Sequence, residues 1–420
     1  MYEIFKLLMK EISSTNKYPT VFWYFFIATF INKAGSLIMP FLSCYLNDGM
    51  NYNYEDTGWV FFFLGLGTVF GTFFSGWFVD NFGSRKVILF SLTSSALFLI
   101  IMSFTASFTL FCFLVFCFSF TADMLRPAIL TALKTYVHKD KRVEAYTLIR
   151  RASNLGLILG PFVGGYLMFN HGAHYQFLFF IDATTCLVAA IIIGFLVKEN
   201  KLEYKMSTKI VSLFANKNAM LKDNVFLLNN LVACICGILF FQFFSVFPLY
   251  YNSENFDNLL KVDYLISGLA LCTAIFELII VNYYVKNKLY NNVAIGIGLI
   301  FFTIGYLSLS YLHTNLGCFI YVLSISLGAM HTFPFAISIV LNRIHFKQEG
   351  AFMALFQMSY GFSQMISGKI NLNLVSTFGF KMNWTVNIIL AMIGFVINYI
   401  VFLKIRSERK MLENKLENYF

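Results

Sequence analysis

Long apolar stretches, separated by short polar segments, dominate the pattern of this chain. Each stretch approaches or exceeds the roughly 20 residues that an α-helix needs to cross a bilayer. The pattern therefore predicts an all-α membrane protein with twelve transmembrane helices. We place them at 21–46, 57–79, 87–107, 108–133, 145–169, 176–197, 225–250, 264–285, 291–313, 316–341, 350–374 and 384–403.

The lysines and arginines between these spans alternate from one loop to the next. Loops that follow even-numbered spans hold nearly all of them, whereas the opposite set of loops holds only Lys261 and Lys381. Because cytoplasmic loops carry the excess of basic residues, this alternation predicts that both termini are cytoplasmic. The segment Met1–Lys17 lacks a cleavable signal, so we keep the first span as a helix of an inner-membrane protein.

The longest internal hydrophilic segment lies between the sixth and seventh spans. It predicts an N-terminal six-helix bundle at 1–197, a basic cytoplasmic linker at 198–224 and a C-terminal six-helix bundle at 225–420. The linker is either a solvated tether or a helix that lies on the anionic inner leaflet.

Composition narrows the class of protein further. The chain is 58% hydrophobic and only 12% charged, which is too little polar surface for a soluble domain. Its net charge of +10 is explained by the basic loops, so we expect no nucleic acid. No phosphate-binding glycine loop or His-Glu-x-x-His sequence is present, and we expect neither catalytic residues nor a cofactor nor a metal.

The loop between the second and third spans resembles the signature of the major facilitator superfamily. The matching residues are Gly76, Asp80, Gly83, Arg85 and Lys86. Asn81 and Ser84 depart from the family pattern, although the turn positions are kept. The resemblance implies two six-helix bundles, and it implies that Asp80 and Arg85 stabilise an outward-open state.

A second motif lies in the fifth span and is similar to one associated with exporters and antiporters of this superfamily. It consists of Gly156, Gly160, Pro161, Gly164 and Gly165. Glycines at this spacing share one helix face and allow close packing, while an internal proline kinks the helix. Arg150, Asn154, Asp182 and Gln242 also resemble positions common in bacterial drug-efflux-like members.

Ionisable side chains within the spans are candidates for proton coupling. A charge at the bilayer centre costs about 2.5–3.5 kcal/mol, so such a group is expected to face protein or water. The candidates are Asp123, Arg126, Glu277 and Asp182. Asp123 and Arg126 stand at i, i+3 and are expected to pair on one helix face. The alternative is that these groups form static structural pairs.

Polar residues of the cavity-lining spans are the candidates for substrate binding. They are Asn32, Lys33, Arg126, Asn154, Gln242 and His331. Lys33 lies in the middle of the first span, too deep to reach either surface easily. A structural ion pair at Lys33 and a structural histidine at 331 are the alternatives.

These features favour a secondary active transporter that exports a small organic solute by alternating access, coupled to protons. The intramembrane charges are balanced rather than acidic, which leaves an anionic metabolite or a carboxylate siderophore as an alternative cargo, exported or taken up. A receptor or scaffold on the same fold is a further alternative. We expect a monomer whose partners are a small-molecule substrate, the proton gradient and the lipid bilayer.

Overall fold

A computed structural model describes residues 18–138, 141–170, 175–198, 222–253, 262–287, 289–343 and 349–417. Within these ranges the regular structure is helical and contains no strand, as the apolar pattern predicts. Most of the predicted linker, residues 199–221, lies outside the described residues.

Two apolar stretches of the N-terminal half are each divided into a pair of helices. The helices of this half are α1 Thr20–Ala34, α2 Ile38–Cys44, α3 Tyr54–Phe82, α4 Ser84–Ser103, α5 Phe108–Ala122, α6 Leu125–Tyr136, α7 Arg142–Asn170 and α8 Tyr175–Leu196. A π-helical turn, Tyr45–Gly49, follows α2.

Prolines explain where these stretches divide. Pro40 and Pro127 lie in the first turns of α2 and α6. A proline ring inside a continuous helix would clash with the carbonyl four residues earlier, which here belongs to Ser36 or Asp123. The breaks at Gly35–Leu37 and at Asp123–Met124 remove those clashes.

The C-terminal half ends in an unusually long helical element. Its helices are α9 Asn224–Ser245, α10 Phe247–Ser253, α11 Val262–Lys286, α12 Asn291–Tyr311, α13 Asn315–Arg343 and α14 Glu349–Glu417. Helix α14 is divided into two arms at Gly379, whose φ of 78° lies in the region that favours glycine. Its second arm continues past the apolar segment as far as Glu417.

Nine helical stretches of the described chain are long and apolar enough to cross a membrane. The last of them, Leu355–Met411, contains the break at Gly379, and α7 and α11 are outside this set. Crossings by α7 and α11, together with a division at Gly379, would give the predicted twelve. The number twelve and the orientation of the termini stay predictions.

Glycines allow the two halves to approach closely. Helix α3 packs along α14, and α7 packs along α11. A Cβ atom on Gly65 of α3 would lie 2.5 Å from the backbone nitrogen of Met365, so only glycine fits there. Gly361 makes the reciprocal approach and lies against Val69.

Candidate functional site

The glycine face of α7 packs against the first apolar stretch. A Cβ on Gly156 would lie 2.7 Å from the Cβ of Lys33, and one on Gly160 would lie 3.0 Å from the Ser36 carbonyl oxygen. Gly164 meets the ring of Phe41 in the same way. Pro161 is buried within α7, as is Gly165. The motif therefore forms a tight seam that fixes Lys33 beside α7.

A buried carboxylate lies behind α1 on helix α8. Asp182 is only 3% exposed, and its Oδ2 atom has no hydrogen-bond partner. The Cys186 thiol approaches Oδ1 at 4.0 Å and in turn accepts a hydrogen bond of 3.2 Å from the Asn32 amide. The positive charge of Lys33 interacts electrostatically with Asp182, but no ion pair joins the two among the described residues.

The break between α5 and α6 separates Asp123 from Arg126. Asp123 is half-buried at the end of α5, near Thr68 of α3, whose hydroxyl donates a hydrogen bond of 3.2 Å to the carbonyl of Leu64. In the part of the chain that the structure describes, Asp123 and Arg126 form no ion pair within 4.0 Å, contrary to the i, i+3 expectation. That expectation assumed a continuous helix, and Pro127 interrupts it here.

Arg126 points into the space between the two halves. It is exposed although it lies within an apolar stretch, and it interacts electrostatically with Arg150 of α7 and with Tyr360 of α14. Because Tyr360 belongs to the opposite half, the exposed guanidinium faces the interior rather than lipid. Across the described chain, Arg126 makes no hydrogen bond or ion pair.

An ion pair between the halves lies beside Arg126. Arg150 donates a hydrogen bond of 2.8 Å to Glu277 of α11, and Asn154 donates one of 3.4 Å to the other carboxylate oxygen. The Glu277 side chain is 14% exposed and the Arg150 side chain 42%. Glu277 therefore has a cationic partner, which its apolar neighbours in the sequence did not indicate.

Arg150 is not among the predicted site residues, although it resembles, with Asn154, a position common in efflux members; it lies five residues after the start of the predicted fifth span, which follows a basic loop. Its place one helical turn before Asn154 is the signal that links it to the site, because residues at i and i+4 share a face.

Contacts between the halves also close one end of the molecule. We call it the lysine-poor end, because its loops hold only Lys261 and Lys381. Lys369 pairs with Glu55 at 3.3 Å and lies 4.1 Å from the centre of the Trp59 ring. At the same end, Asn252 donates a hydrogen bond of 3.2 Å to Asp48. These contacts join α14 to α3, and α10 to the turn after α2.

A further contact at this end involves a backbone carbonyl that a proline leaves without its usual helical hydrogen bond. Pro248 lies at the start of α10, so it cannot bond to the carbonyl of Phe244 four residues earlier. Ser43 of α2 donates a hydrogen bond of 3.0 Å to that carbonyl oxygen. Satisfying a freed carbonyl is needed where water is absent.

Gln242 and His331 contact protein groups in this conformation. Gln242 is fully buried, and its amide oxygen accepts a hydrogen bond of 2.8 Å from Asn383. The His331 ring is 9% exposed, bonds the carbonyl of Leu327 and lies beside the ring of Tyr284. Their roles in substrate binding stay predictions.

The loop motif forms the predicted turn. Gly83 has a φ of 85°, and Arg85 donates a hydrogen bond of 2.6 Å to the carbonyl of Gly194. Asp80 is exposed and has no hydrogen bond within the described ranges, while a Cβ on Gly76 would meet nothing within 4 Å. Lys86 is exposed in the first turn of α4.

The geometry defines a polytopic membrane protein of the solute-transporter class, with charged side chains gathered between two helical halves. The family model of the Major Facilitator Superfamily matches residues 22–368, and the chain belongs to that superfamily. Members of this family move solutes and are not enzymes, which confirms the expectation from the sequence.

Relatives of known name are distant. Over 253 residues the chain is 24% identical to the cis,cis-muconate transport protein of Acinetobacter baylyi, a match that covers 57% of this chain and 60% of the relative. Over 188 residues it is 24% identical to multidrug resistance protein 2 of Bacillus subtilis, with 44% and 46% covered. The chain thus matches about half of each relative's length.

Solved structures share the fold. A crystal structure of the nucleoside transporter NupG superposes with a TM-score of 0.72 at 16% identity, covering 92% of this chain and 99% of that one. A POT family transporter in complex with a thioalcohol-conjugated peptide gives 0.74 at 16%, covering 93% and 96%. At this identity the likeness concerns the fold alone.

Proposed function

We propose that this protein is a secondary active transporter that carries a small organic anion across the inner membrane by alternating access. The observation that carries the proposal is the different exposure of the opposite charges at membrane depth. As residues, Arg126 and Arg150 are exposed, whereas Asp123 and Glu277 are half-buried and Asp182 is buried.

This difference changes the balance of charge that a substrate meets. The carboxylate of Glu277 is already bound by Arg150, Asp182 is buried and Asp123 is half-buried. Arg126 remains as an exposed cation with no partner in the described part of the chain. Guanidinium stays charged in proteins and binds carboxylate or phosphate through paired hydrogen bonds. An anion is the ligand that this surface favours.

The names of the relatives support two classes of cargo. One relative is a cis,cis-muconate transport protein, and muconate is a dicarboxylate. Another is a multidrug resistance protein, which keeps proton-coupled drug export as the second candidate, together with the exporter-like glycine seam of α7. A carboxylate siderophore falls within the first class.

The closed lysine-poor end supports a direction of access. If the basic loops are cytoplasmic, as we propose, the contacts of Lys369 and Asn252 close the outer side. Water then reaches the exposed Arg126 from the cytoplasm. We propose that twelve spans, in halves 1–197 and 225–420 joined by 198–224, rock about this site to expose it on each side.

Flux in proteoliposomes tests the proposal. Labelled cis,cis-muconate and benzoate serve as anions, tetraphenylphosphonium as a lipophilic cation and adenosine as a neutral solute, with and without a pH gradient. We expect anion flux, and we expect Arg126→Gln to lower it about 10- to 150-fold, because a hydrogen bond to a charged group contributes about 1.5–3 kcal/mol. Arg409→Gln, on the exposed second arm of α14, is the matched control.

The outcomes separate the candidates. Flux of tetraphenylphosphonium without anion flux would assign the protein to drug export. Flux of none of these solutes, from protein shown to be folded, would favour a receptor or scaffold. An Arg126→Gln variant with wild-type anion flux would remove Arg126 from the binding site.

A further inference from the structure

A second site, separate from Arg126, lies between α1 and α8. Asp182 is almost fully buried there, and one of its carboxylate oxygens has no hydrogen-bond partner. An ionised carboxylate that is buried without a partner costs several kcal/mol, whereas a protonated carboxyl group does not carry that cost. The unpartnered oxygen is therefore where a proton would bind.

The positive charge of Lys33 acts on this carboxyl group and on that of Asp123. In the described ranges its ammonium group makes an ion pair with neither of them and forms no hydrogen bond. Asp123 also feels the charge of Arg126, whereas Lys33 is the one cation that acts on Asp182 among the described residues. The charge of Asp182 therefore depends on Lys33.

Among the described residues, the other elements that pack closely on α8 bring no further charge to Asp182. Helix α4 carries only Arg85 and Lys86, both in its first turn, and α2 contributes the Cys44 thiol. Arg85 contacts Gly194, which lies about 18 Å further along α8 at 1.5 Å per residue. From α8 itself and from α1, the nearest polar groups are Cys186 and Asn32.

We propose that Asp182 is a proton-binding site whose occupancy is linked to the anion through Lys33. When the anion binds, Lys33 pairs with it, and Asp182 takes up one proton in place of the lost cation. When the anion leaves, Lys33 compensates the Asp182 carboxylate and the proton departs. Anion and proton would then travel together, so that transport of a monoanion moves no net charge.

The inference rests on the proposed anion transport, but the proton site can be measured without any anion. In the proposal Asp182 without anion is ionised near Lys33 and takes up its proton only as the pH is lowered. Infrared difference spectra between alkaline and acidic pH, recorded on the full-length protein in lipid, therefore detect the C=O stretch of each carboxyl group that becomes protonated. We expect one band that Asp182→Asn abolishes and that Asp223→Asn retains, because Asp223 lies elsewhere, paired with Arg343 at 2.6 Å. A spectrum whose band survives in Asp182→Asn would overturn the proton site.

A conservative variant keeps the test open if Asp182→Asn does not fold. Asp182→Glu retains the carboxyl group, and we expect a band shifted in frequency rather than lost. An unshifted band in Asp182→Glu would assign the signal to another acid and overturn the proposal.

The linkage to the anion is tested by proton uptake. A pH-indicator dye in weakly buffered solution reports protons bound when benzoate or cis,cis-muconate is added to the solubilised protein. We expect uptake of about one proton per anion in the wild type, and none in Asp182→Asn or in Lys33→Ala. Anion binding without proton uptake in the wild type would overturn the linkage.

Failure of the proposed function looks different from failure of this inference. If neither anion binds, the proposed cargo and the linkage both fall, while the infrared band still decides whether Asp182 binds a proton. If both anions are transported and the band is absent, only this inference is wrong.

Discussion

Lys369 offers the sharpest test of how the halves close. It lies on α14, and both of its partners, Glu55 and Trp59, lie on α3 of the opposite half. Replacing it by Gln removes an ion pair and a cation–π contact while keeping a long polar side chain. Every lost contact spans the two halves, so the change acts on closure more than on the folding of either half.

The size of the effect follows from the geometry. Glu55 is 60% exposed, so its ion pair with Lys369 contributes only about 0.2–1 kcal/mol. The ammonium group is 4.1 Å from the Trp59 ring on a side chain that is 14% exposed, where a cation–π contact contributes about 0.5–2 kcal/mol. A total of about 1–3 kcal/mol shifts the ratio of closed to open molecules by about 5- to 150-fold.

Distances between spin labels measure this ratio. Labels on Ser107→Cys and Thr377→Cys, both exposed at the lysine-poor end of opposite halves, are read by double electron–electron resonance after the eight native cysteines are replaced. We expect Lys369→Gln to enrich the longer distance and Lys369→Arg to preserve the shorter one. Lys381→Gln is the matched control, because Lys381 is exposed at the same end.

Two results would refute the reasoning. An unchanged distance distribution in Lys369→Gln would show that these contacts do not hold the end closed. An equal shift in Lys381→Gln would show that the effect depends on net charge at this end rather than on the ion pair and the aromatic ring.

Three further substitutions, with Phe162→Leu as a control for the first, test the packing by thermal unfolding in detergent. Gly160→Leu inserts a side chain beside the Ser36 carbonyl and should cost about 1–3 kcal/mol, whereas Phe162→Leu, on the exposed face of α7, should leave the midpoint nearly unchanged. Ser43→Ala leaves the Phe244 carbonyl unsatisfied and should cost about 1–3 kcal/mol; an unaltered midpoint would mean that water replaces the hydroxyl. Gly379→Ala should cost about 1–2 kcal/mol at its positive φ, and a neutral result would show that the turn relaxes.

Much of the fold could be predicted because hydrophobicity and backbone chemistry are local properties. The long apolar stretches locate the helices, and the glycine spacing of the fifth span indicates the close seam that Gly156 and Gly160 form with α1. The turn at Gly83 also follows from its place in the loop motif. Each of these needs only a few neighbouring residues.

The arrangement of the charged side chains could not be predicted, because it depends on how each helix is rotated against the others. The sequence gives no sign that Glu277 meets Arg150, 127 residues away. The sequence also predicts that Gln242 lines the substrate cavity. In the structure its amide oxygen accepts a hydrogen bond from Asn383 instead. The expected pairing of Asp123 with Arg126 failed for a local reason, the break before Pro127, and the proline could have indicated it.

The second arm of α14 has a practical use. Its helix runs without interruption from the apolar segment to Glu417. From Leu403 that is about 21 Å of straight rod at 1.5 Å per residue, about two-thirds of the thickness of the hydrocarbon core. A helical protein fused in register at Glu417 would continue the axis of this helix, so its orientation relative to the membrane helices would be fixed. Such a rigid appendage would give particle images of this small protein a feature by which to align them.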